Sequence, residues 1–590
     1  MNGLIHTFGI VLITSLLSTG CGGGGSGDSG GGGGGGRDPV PDLPIDTSTS
    51  PVGSNLVQPT DFSGEFPFVD HMKMARPWFS GTDASFQDGR TLAKDADGWP
   101  VSLLAGQVAR SVIFTNGDIG SRLAGSRFVV VKSGDGDIEY GGVTVESTSA
   151  SRDVVVLTPS LMELRIRRIN PANPLRLRLV PEGGICAADP LTRVSDAGSC
   201  AGGDFVSFES NSAPRFMPEF LTSIKTYRYL RFMDWGHTNR TLQNEIDGDT
   251  DLITLAQRAR SSNATFTVPL RGVPVEIMIE LCNLMNMDLW INIPYRANDG
   301  YVDGVAAVLR DGLEAGRSVY VEYSNEVWNG IFVQTEFARE QGLALGLGTD
   351  EFTATLEFYA RRATQVMKRF ETVFGGSTRL RRVVATLQGN GFAVNTILGF
   401  QDTAANVDFF AIAPYFGDTA GEGSFPLIAR NLGGQPLSPA AEIARFKSMG
   451  VNGIFSWLLN DNQPDLFGSL ADIRFNTQAS RDAAAGFGKP LISYEGGQHF
   501  VGIDIALNDT ALNNLFDAVN RDPRMKQVYE TYLANWRTDT GQRFTHFYNV
   551  DAWSPFGRWG AREFATQARV DAPKFDGLLT YMENNPLPAP

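Results

Sequence analysis

The chain has 590 residues, of which 42% are hydrophobic, and it carries a formal net charge of −15 at pH 7. This length exceeds one ordinary domain and suits a large domain with an added module and a leader. The negative charge argues against nucleic acid as a partner and against electrostatic binding to an anionic membrane surface. The five histidines and four cysteines form no His-x-x-x-His or Cys-x-x-Cys pair, so no metal site is predicted.

A short apolar segment opens the chain, and small residues lead from it to Cys21. Residues 1–21 resemble a bacterial lipoprotein signal peptide, in which Cys21 is lipidated after cleavage. Leu17 stands one position further from Cys21 than the usual motif places it, and no Lys or Arg precedes it, which leaves an ordinary signal peptide as the alternative. Both interpretations predict export. The first predicts an outer-membrane or cell-surface lipoprotein held only by its lipid, and the second a periplasmic or secreted protein.

A Gly/Ser-rich stretch follows Cys21 and turns into one rich in Pro, Asp, Thr and Ser. This composition predicts that residues 22–60 are a disordered tether, because such a segment buries too little apolar surface to fold. Lipid and tether together would hold the folded part of the chain near the cell surface.

Residues 100–204 have the pattern of an all-β module. Short β-branched runs alternate with turn signals, and residues 161–168 show the partial alternation of a half-buried strand. We expect a β-sandwich, which either binds carbohydrate or only caps its neighbour; the structural role is favoured because such sandwiches host many functions. Cys186 and Cys200 bracket a polar loop and are candidates for a disulfide, which export permits.

From residue 226 onward, candidate strands and helices alternate, as in a parallel α/β sheet. The predicted strands are Tyr227–Met233, Leu289–Ile293, Ser318–Tyr323, Arg382–Leu387, Val407–Ala413, Leu491–Tyr494 and Phe544–Val550. The clearest predicted helices are Pro274–Met285, Glu357–Phe374 and Leu515–Trp536.

Two of these strands deliver a glutamate to their carboxyl ends. The strand over 318–323 is followed by Asn325 and Glu326, and the strand over 491–494 is followed by Glu495 and two glycines. Parallel strands bring their carboxyl ends to one face, where barrel enzymes build their sites. Two glutamates placed there favour the two-carboxylate chemistry of glycoside hydrolysis.

These motifs occur in an ordered set that resembles a known group of enzymes. The set comprises Phe68–Lys73, Leu230–Trp235, Trp290–Pro294, the stretch around Glu326, and Tyr494–His499. It resembles the clan A glycoside hydrolases, and in particular a group of bacterial secreted proteins labelled cellulose-binding or putative glycosidase, over residues 65–580. The resemblance implies a (β/α)8 TIM barrel formed by residues 61–99 and 205–585. Its first strand would lie within 65–78, with the all-β module inserted after it.

The resemblance also implies a role for each glutamate. Glu326 would be the general acid/base, kept protonated by burial beside a second carboxylate. Glu495 would be the nucleophile of a retaining enzyme, which places the two carboxyl groups roughly 5–5.5 Å apart. No metal and no organic cofactor is needed for this chemistry.

Further site residues follow from the same resemblance. Asn325 would bond the sugar 2-hydroxyl, and Arg231 would bond the nucleophile, with Asp234 or His237 as the alternative site group near that strand. Tyr415 would lie near the nucleophile unless it is a core tyrosine, and Trp553 would stack on the sugar. Positions at or near strand ends add further candidates for substrate contact, with core packing of the tryptophans and support of loop backbone by the polar residues as the alternatives: Trp235, Asn292, Trp328, Gln498 and His499.

The sequence therefore predicts a retaining glycoside hydrolase that acts on an extracellular poly- or oligosaccharide. Two alternatives remain open. A non-catalytic polysaccharide-binding lipoprotein has no need for two adjacent carboxylates, so the geometry of Glu326 and Glu495 separates it from an enzyme. A transglycosylase would use the same pair and pass the sugar to another sugar instead of water.

Overall fold

A computed structural model describes residues 47–239, 253–269, 271–417, 419–420, 438–460 and 468–588. Its central element is one parallel sheet of eight strands curled into a barrel, with the order β7-β6-β5-β4-β3-β2-β1-β8. The strands are β1 Val52–Asn55, β2 Tyr229–Arg231, β3 Asp288–Ile293, β4 Val319–Tyr323, β5 Leu380–Ala385, β6 Phe409–Ile412, β7 Leu491–Ser493 and β8 Phe544–His546.

The seven strands predicted after residue 226 are confirmed as β2 to β8. Every residue of β3 and β4 is buried, which is why each strand reads as a nearly continuous apolar run. Inside the barrel, aromatic rings from neighbouring strands fill the space, and Trp290 stacks on Tyr320 with ring centroids 5.1 Å apart. The (β/α)8 fold class is thereby confirmed.

Strands β7 and β8 lie at the two ends of the sheet order, and side-chain hydroxyls join them. The backbone N–H of Thr545 donates to Oγ of Ser493 at 2.7 Å, and Oγ1 of Thr545 donates to the Ser493 carbonyl at 2.6 Å. Both residues are fully buried, so these hydrogen bonds complete the barrel in an environment without competing water.

The prediction for the first barrel strand is wrong. Strand β1 comes from residues 52–55, inside the segment predicted to be a tether, and it pairs with β2 and β8. Gly53 is required there because the ring of Tyr229 occupies the space of a Cβ. Residues 65–78 instead form a loop with a short 3₁₀ helix, His71–Met74. The tether prediction is therefore wrong for residues 47–60.

The predictions for the amino-terminal segment fall outside the described residues. They concern the signal peptide over 1–21, the lipidation of Cys21, and the part of the tether over 22–46. They remain predictions.

The inserted module is a sandwich of two four-stranded antiparallel sheets, as predicted. One sheet contains Phe79–Gly81, Val108–Ile113, Met162–Ile169 and Gly136–Gly141, and the other contains Arg176–Pro181, Arg127–Ser133, Arg152–Leu157 and Val143–Thr148. The predicted boundary at residue 100 is wrong, because Phe79–Gly81 already pairs with the strand that begins at Val108.

A small three-stranded sheet follows the sandwich and carries the predicted disulfide. Its strands are Gly184–Cys186, Asp189–Val194 and Phe205–Ser207. Cys186 and Cys200 are bonded, with an S–S distance of 2.05 Å and a Cα–Cα distance of 5.4 Å. The predicted boundary at residue 204 cuts through this sheet, since its third strand begins at residue 205.

Helices cover the outside of the barrel. The described α-helices are Gly117–Arg122, Pro218–Ile224, Val275–Leu284, Asp299–Gly312, Val333–Ala344, Glu351–Phe374, Gly391–Gly399, Thr403–Asn406, Pro439–Leu458, Leu470–Ala485, Thr510–Arg521, Arg524–Thr540 and Pro573–Asn584. The predicted helix over 515–536 is two helices, because Asp522 precedes a proline and adopts an extended conformation with ψ 133°. None of the helices in the described part of the chain is long and apolar enough to cross a membrane.

The position of β1 predicts the effect of two truncations. A chain that begins at residue 47 should fold. One that begins at residue 61 should aggregate, because the loss of β1 leaves the edges of β2 and β8 unpaired. Size-exclusion chromatography and thermal melts of the two proteins measure this. A monomeric 61–590 chain with an unchanged melting temperature would contradict the placement of β1.

Candidate active site

Arg231, at the end of β2, is fully buried and holds the centre of the site together. Its Nε and Nη2 donate to the two carboxylate oxygens of Glu322 on β4, each at 3.0 Å. Its Nη1 donates to Oε1 of Glu495 at 2.8 Å and to Oδ1 of Asn55 at 3.0 Å. Its Nη2 also donates to Oδ1 of Asn325 at 2.7 Å. One guanidinium therefore contacts side chains from strands β1 and β4 and from the segments that follow β4 and β7.

The charges at this centre are removed from water. Burial lowers the pKa of Arg231, but Glu322 and Glu495 raise it by a larger amount, so the guanidinium stays charged. Buried ions are tolerated when their hydrogen bonds are satisfied, and the bidentate pairing with Glu322 meets this condition.

Glu495 follows β7 and has both carboxylate oxygens fixed. Oε1 accepts the hydrogen bond from Arg231, and Oε2 accepts a hydrogen bond from the Tyr415 hydroxyl at 2.9 Å. Tyr415 is itself buried and follows β6. The carboxylate of Glu495 is thereby held in one orientation by a cation and a phenol.

Glu326 follows β4 in a tight backbone turn, in which Ser324 and Glu326 have φ values of 62° and 42°. Such left-handed conformations cost energy for side chains other than glycine and cluster at functional sites. Oε1 of Glu326 accepts a hydrogen bond from the Tyr494 hydroxyl at 2.8 Å, and Oε2 accepts one from Nδ2 of Asn329 at 2.9 Å. Its two direct partners are neutral donors.

The two glutamates are close enough for the charge of one to affect the other. Burial raises the pKa of Glu326, and burial also raises the pKa of Glu495, where Arg231 opposes the rise and Glu326 adds to it. Two adjacent buried carboxyl groups do not both ionise readily. Burial raises the pKa of Glu495 to about 8, which would favour a proton there. We nevertheless assign the charge to Glu495 and the proton to Glu326, because Arg231 donates directly to Glu495 while Glu326 has only neutral donors.

The structure thus brings together five of the predicted site residues: Glu326, Glu495, Asn325, Arg231 and Tyr415. Arg231 points into the barrel, which decides between it and Asp234 as the partner of Glu495.

Three further predicted residues lie around this group. The carboxylate of Asp234 accepts a hydrogen bond from the Tyr548 hydroxyl, and burial raises its pKa to about 6. The ring of His499 packs edge-on against Tyr415, and burial lowers its pKa to about 4. Nδ2 of Asn292 donates to the Ser324 carbonyl at 2.8 Å and so supports the turn before Glu326.

Three other residues predicted to contact the sugar are buried among protein groups. Trp235 is fully buried, donates from Nε1 to the Val57 carbonyl, and packs among phenylalanines, so its assignment as a sugar contact is wrong. Gln498 donates to the Arg558 carbonyl and accepts from the Phe500 N–H, which makes it a loop-supporting residue. Trp328 is buried in the main hydrophobic core.

The indole that follows β8 and packs against Tyr415, the partner of Glu495, is Trp559 and not Trp553. The Trp559 ring lies 5.4 Å from Tyr415 and 4.8 Å from His499, between ring centroids. Trp553 instead lies beneath Lys574, with Nζ 4.4 Å from the ring centroid, and donates to the Gly560 carbonyl. Both tryptophans follow β8, six residues apart, so sequence position alone does not separate them.

Sequence reasoning missed three residues of this centre. Glu322 is a charged residue inside an otherwise apolar and aromatic strand, a pattern that marks a buried functional group. Tyr494 directly precedes Glu495, and Cζ of Arg231 lies 5.1 Å from the centroid of its ring. Asn55 lies in the segment predicted to be a disordered tether, where no site residue is expected.

One group of metal-ligand side chains lies close together among the described residues: Cys186, Cys200 and Asp204. Both sulfurs of this group are bonded to each other, so no thiolate is available as a ligand. The group therefore supports no metal site.

The fold and the site define a (β/α)8 barrel with two buried glutamates at the carboxyl ends of β4 and β7. Solved structures similar to this chain include a 4-O-α-L-rhamnosyl-β-D-glucuronidase from Fusarium oxysporum (11% identity, TM-score 0.34) and a family 51 α-L-arabinofuranosidase from Bifidobacterium longum (12%, 0.32). They also include an endo-β-1,4-mannanase from Thermotoga petrophila (10%, 0.28). The match to the glucuronidase covers 60% of this chain and 61% of the glucuronidase. The corresponding values are 62% and 68% for the arabinofuranosidase, and 62% and 72% for the mannanase.

All three of these proteins are glycoside hydrolases by name. At these TM-scores the likeness does not identify a shared fold, so the barrel assignment rests on the strand order described above. The chain spans about three-fifths of the length of the rhamnosyl-glucuronidase that it matches. No protein-family model and no curated protein matches the chain.

The contacts of Arg231 predict a large loss of stability on its removal. Arg231→Met should lower the free energy of unfolding by about 3–5 kcal/mol, because it leaves buried carboxylates without a cation. Arg228→Met is the matched control, since Arg228 is buried in a single ion pair with Asp288 at 2.8 Å. Denaturant unfolding of both variants should show the larger loss for Arg231→Met. Equal losses would mean that the additional partners of Arg231 contribute nothing.

Proposed function

We propose that this protein is a retaining glycoside hydrolase that acts on an extracellular poly- or oligosaccharide. The observation that supports this most is the pair of buried glutamates at the ends of β4 and β7, of which one is bound to a cation and the other is not. This difference suits the two roles of the pair, because the nucleophile must be ionised and the acid must carry a proton.

In the first step, Glu495 attacks the anomeric carbon as a carboxylate. The bond from that carbon to the glycosidic oxygen breaks, and Glu326 gives its proton to the departing oxygen, so the product leaves as an alcohol. A glycosyl-enzyme ester with Glu495 remains. Tyr415 and Arg231 keep the attacking carboxylate in place before the reaction.

In the second step, water attacks the anomeric carbon and gives its proton to Glu326. The ester bond breaks and its electron pair returns to Glu495, which regenerates both groups. The neutral ester no longer balances the charge of Arg231, but Glu322 still does, through its bidentate contact. Glu322 thus keeps the centre electrically balanced while Glu495 is esterified.

The proposal predicts the effect of removing each glutamate. Hydrolysis by the 47–590 chain, measured against a panel of polysaccharides and aryl glycosides, should fall by at least about a thousandfold in Glu326→Ala and in Glu495→Ala. Added azide should restore turnover of an aryl glycoside by Glu326→Ala, because a good leaving group needs no acid and azide needs no base.

Glu340→Ala, on the exposed face of the helix over 333–344, is the control for losing a glutamate and should keep full activity. A different outcome would favour a binding protein. If the wild-type chain cleaves no glycan, and one glycan binds equally to all four proteins, the assignment of the pair to catalysis is wrong.

We also propose that the protein is exported and anchored by a lipid on Cys21. The apolar segment before Cys21 and the Gly/Ser-rich stretch after it support this proposal. Labelling of expressing cells with a clickable fatty acid should mark the wild-type chain and not Cys21→Ser. A label on both proteins, or on neither, would contradict lipidation at Cys21.

A further inference from the structure

Tyr494 contacts both Arg231 and Glu326, which do not bond each other directly. Its fully buried ring lies against Arg231, with Cζ 5.1 Å from the ring centroid. Its hydroxyl donates to Oε1 of Glu326 at 2.8 Å. Its carbonyl accepts a hydrogen bond from Nδ2 of Asn55 at 3.1 Å, which fixes the backbone directly before Glu495.

We propose that Tyr494 is a positioning residue that sets the pH at which Glu326 loses its proton. This inference rests on the proposed function for its biological meaning, although the titration itself does not need substrate. A phenol that donates to a carboxylate favours the charged form of that carboxylate. Tyr494 therefore lowers the pKa of Glu326, against the rise that burial causes.

The other groups that face Glu326 do not replace this effect. Asn329 holds the second oxygen, Oε2, from the same loop. Arg231 lowers the pKa of Glu326 by its charge, and Glu322 raises it. Glu495 also faces Glu326, and the charge of Glu326 raises the pKa of Glu495. Arg231 makes its direct hydrogen bonds to partners other than Glu326. Among the described residues, Glu326 therefore receives side-chain hydrogen bonds from Asn329, in its own loop, and from Tyr494, which lies outside that loop.

The arrangement suits a group that must act first as an acid and then as a base. A buried carboxyl with no donor would keep its proton well, but it would be a poorly stabilised anion between the first and the second step of the reaction. Donation from Tyr494 brings the two protonation states closer in free energy. The rigid ring between Arg231 and Glu326 keeps this donor in place in both steps.

Infrared difference spectroscopy of the 47–590 chain tests the proposal without a substrate. The protonated-carboxyl band that is lost in Glu326→Gln reports Glu326, and its midpoint is followed through a pH titration. Tyr494→Phe keeps the ring on Arg231 and removes only the donor, so the midpoint should rise by about one pH unit. Replacing Tyr494 with 3,5-difluorotyrosine makes the phenol a stronger donor and should lower the midpoint.

Two matched controls separate this role from general packing. Tyr415→Phe removes the donor to Glu495, so it should move the acidic limb of the pH–rate profile to higher pH, and it should move the Glu326 midpoint by less than Tyr494→Phe does. Tyr229→Phe removes a buried hydroxyl that bonds Thr545 at 2.9 Å and should move neither limb. In the same profile, Tyr494→Phe should move the alkaline limb to higher pH.

The outcomes distinguish this inference from the proposed function. An unchanged Glu326 midpoint in Tyr494→Phe, or an equal shift in Tyr229→Phe, would overturn the role of Tyr494. A shifted midpoint in a protein that hydrolyses no glycan would support the role of Tyr494 and count against the enzyme.

Discussion

The structure depends on one buried positive charge. The guanidinium of Arg231 has no exposed surface, and its hydrogen bonds reach side chains on β1 and β4 and in the segments after β4 and β7. A buried cation is costly unless each of its donors finds an acceptor, so these four partners are fixed by the same requirement. The carboxyl end of the barrel is therefore organised by a polar centre, and the aromatic rings of Trp290 and Tyr320 fill the space below it.

That requirement also makes the two glutamates chemically different. Both follow apolar strands and both are buried, yet Glu495 receives the cation while Glu326 receives only neutral donors. Glu322 also accepts two hydrogen bonds from Arg231, and this second carboxylate limits how strongly Arg231 stabilises the charge of Glu495. The neighbours of the two glutamates thus give them different environments, as the proposed roles of acid and nucleophile require, although both are glutamates that follow strands of the same barrel.

Much of the barrel was predictable, because parallel strands covered on both sides leave uninterrupted apolar runs, as in β3 and β4. Glu326 and Glu495 were predictable because each follows such a strand, and Arg231 was predictable from the resemblance to the clan A glycoside hydrolases. Strand β1 was not predictable in this way. It has only four residues, two of them Gly53 and Ser54, and its pairing with β2 and β8 depends on residues far away in the sequence. For the same reason the position of Trp559 beside Tyr415 follows from loop geometry that local patterns do not encode.

The hydroxyl groups that join β7 to β8 give the barrel one adjustable side. The seven other strand pairs are held by ladders of backbone hydrogen bonds, which most side-chain substitutions leave in place. Between β7 and β8, the hydrogen bonds instead involve the side-chain hydroxyls of Ser493 and Thr545. Ser493 lies two residues before Glu495. We therefore expect a substitution at either hydroxyl to move the carboxyl group of Glu495 relative to that of Glu326. These two hydroxyls thus offer evolution, or protein engineering, a place at which to vary the separation of the two carboxyl groups without rebuilding the fold.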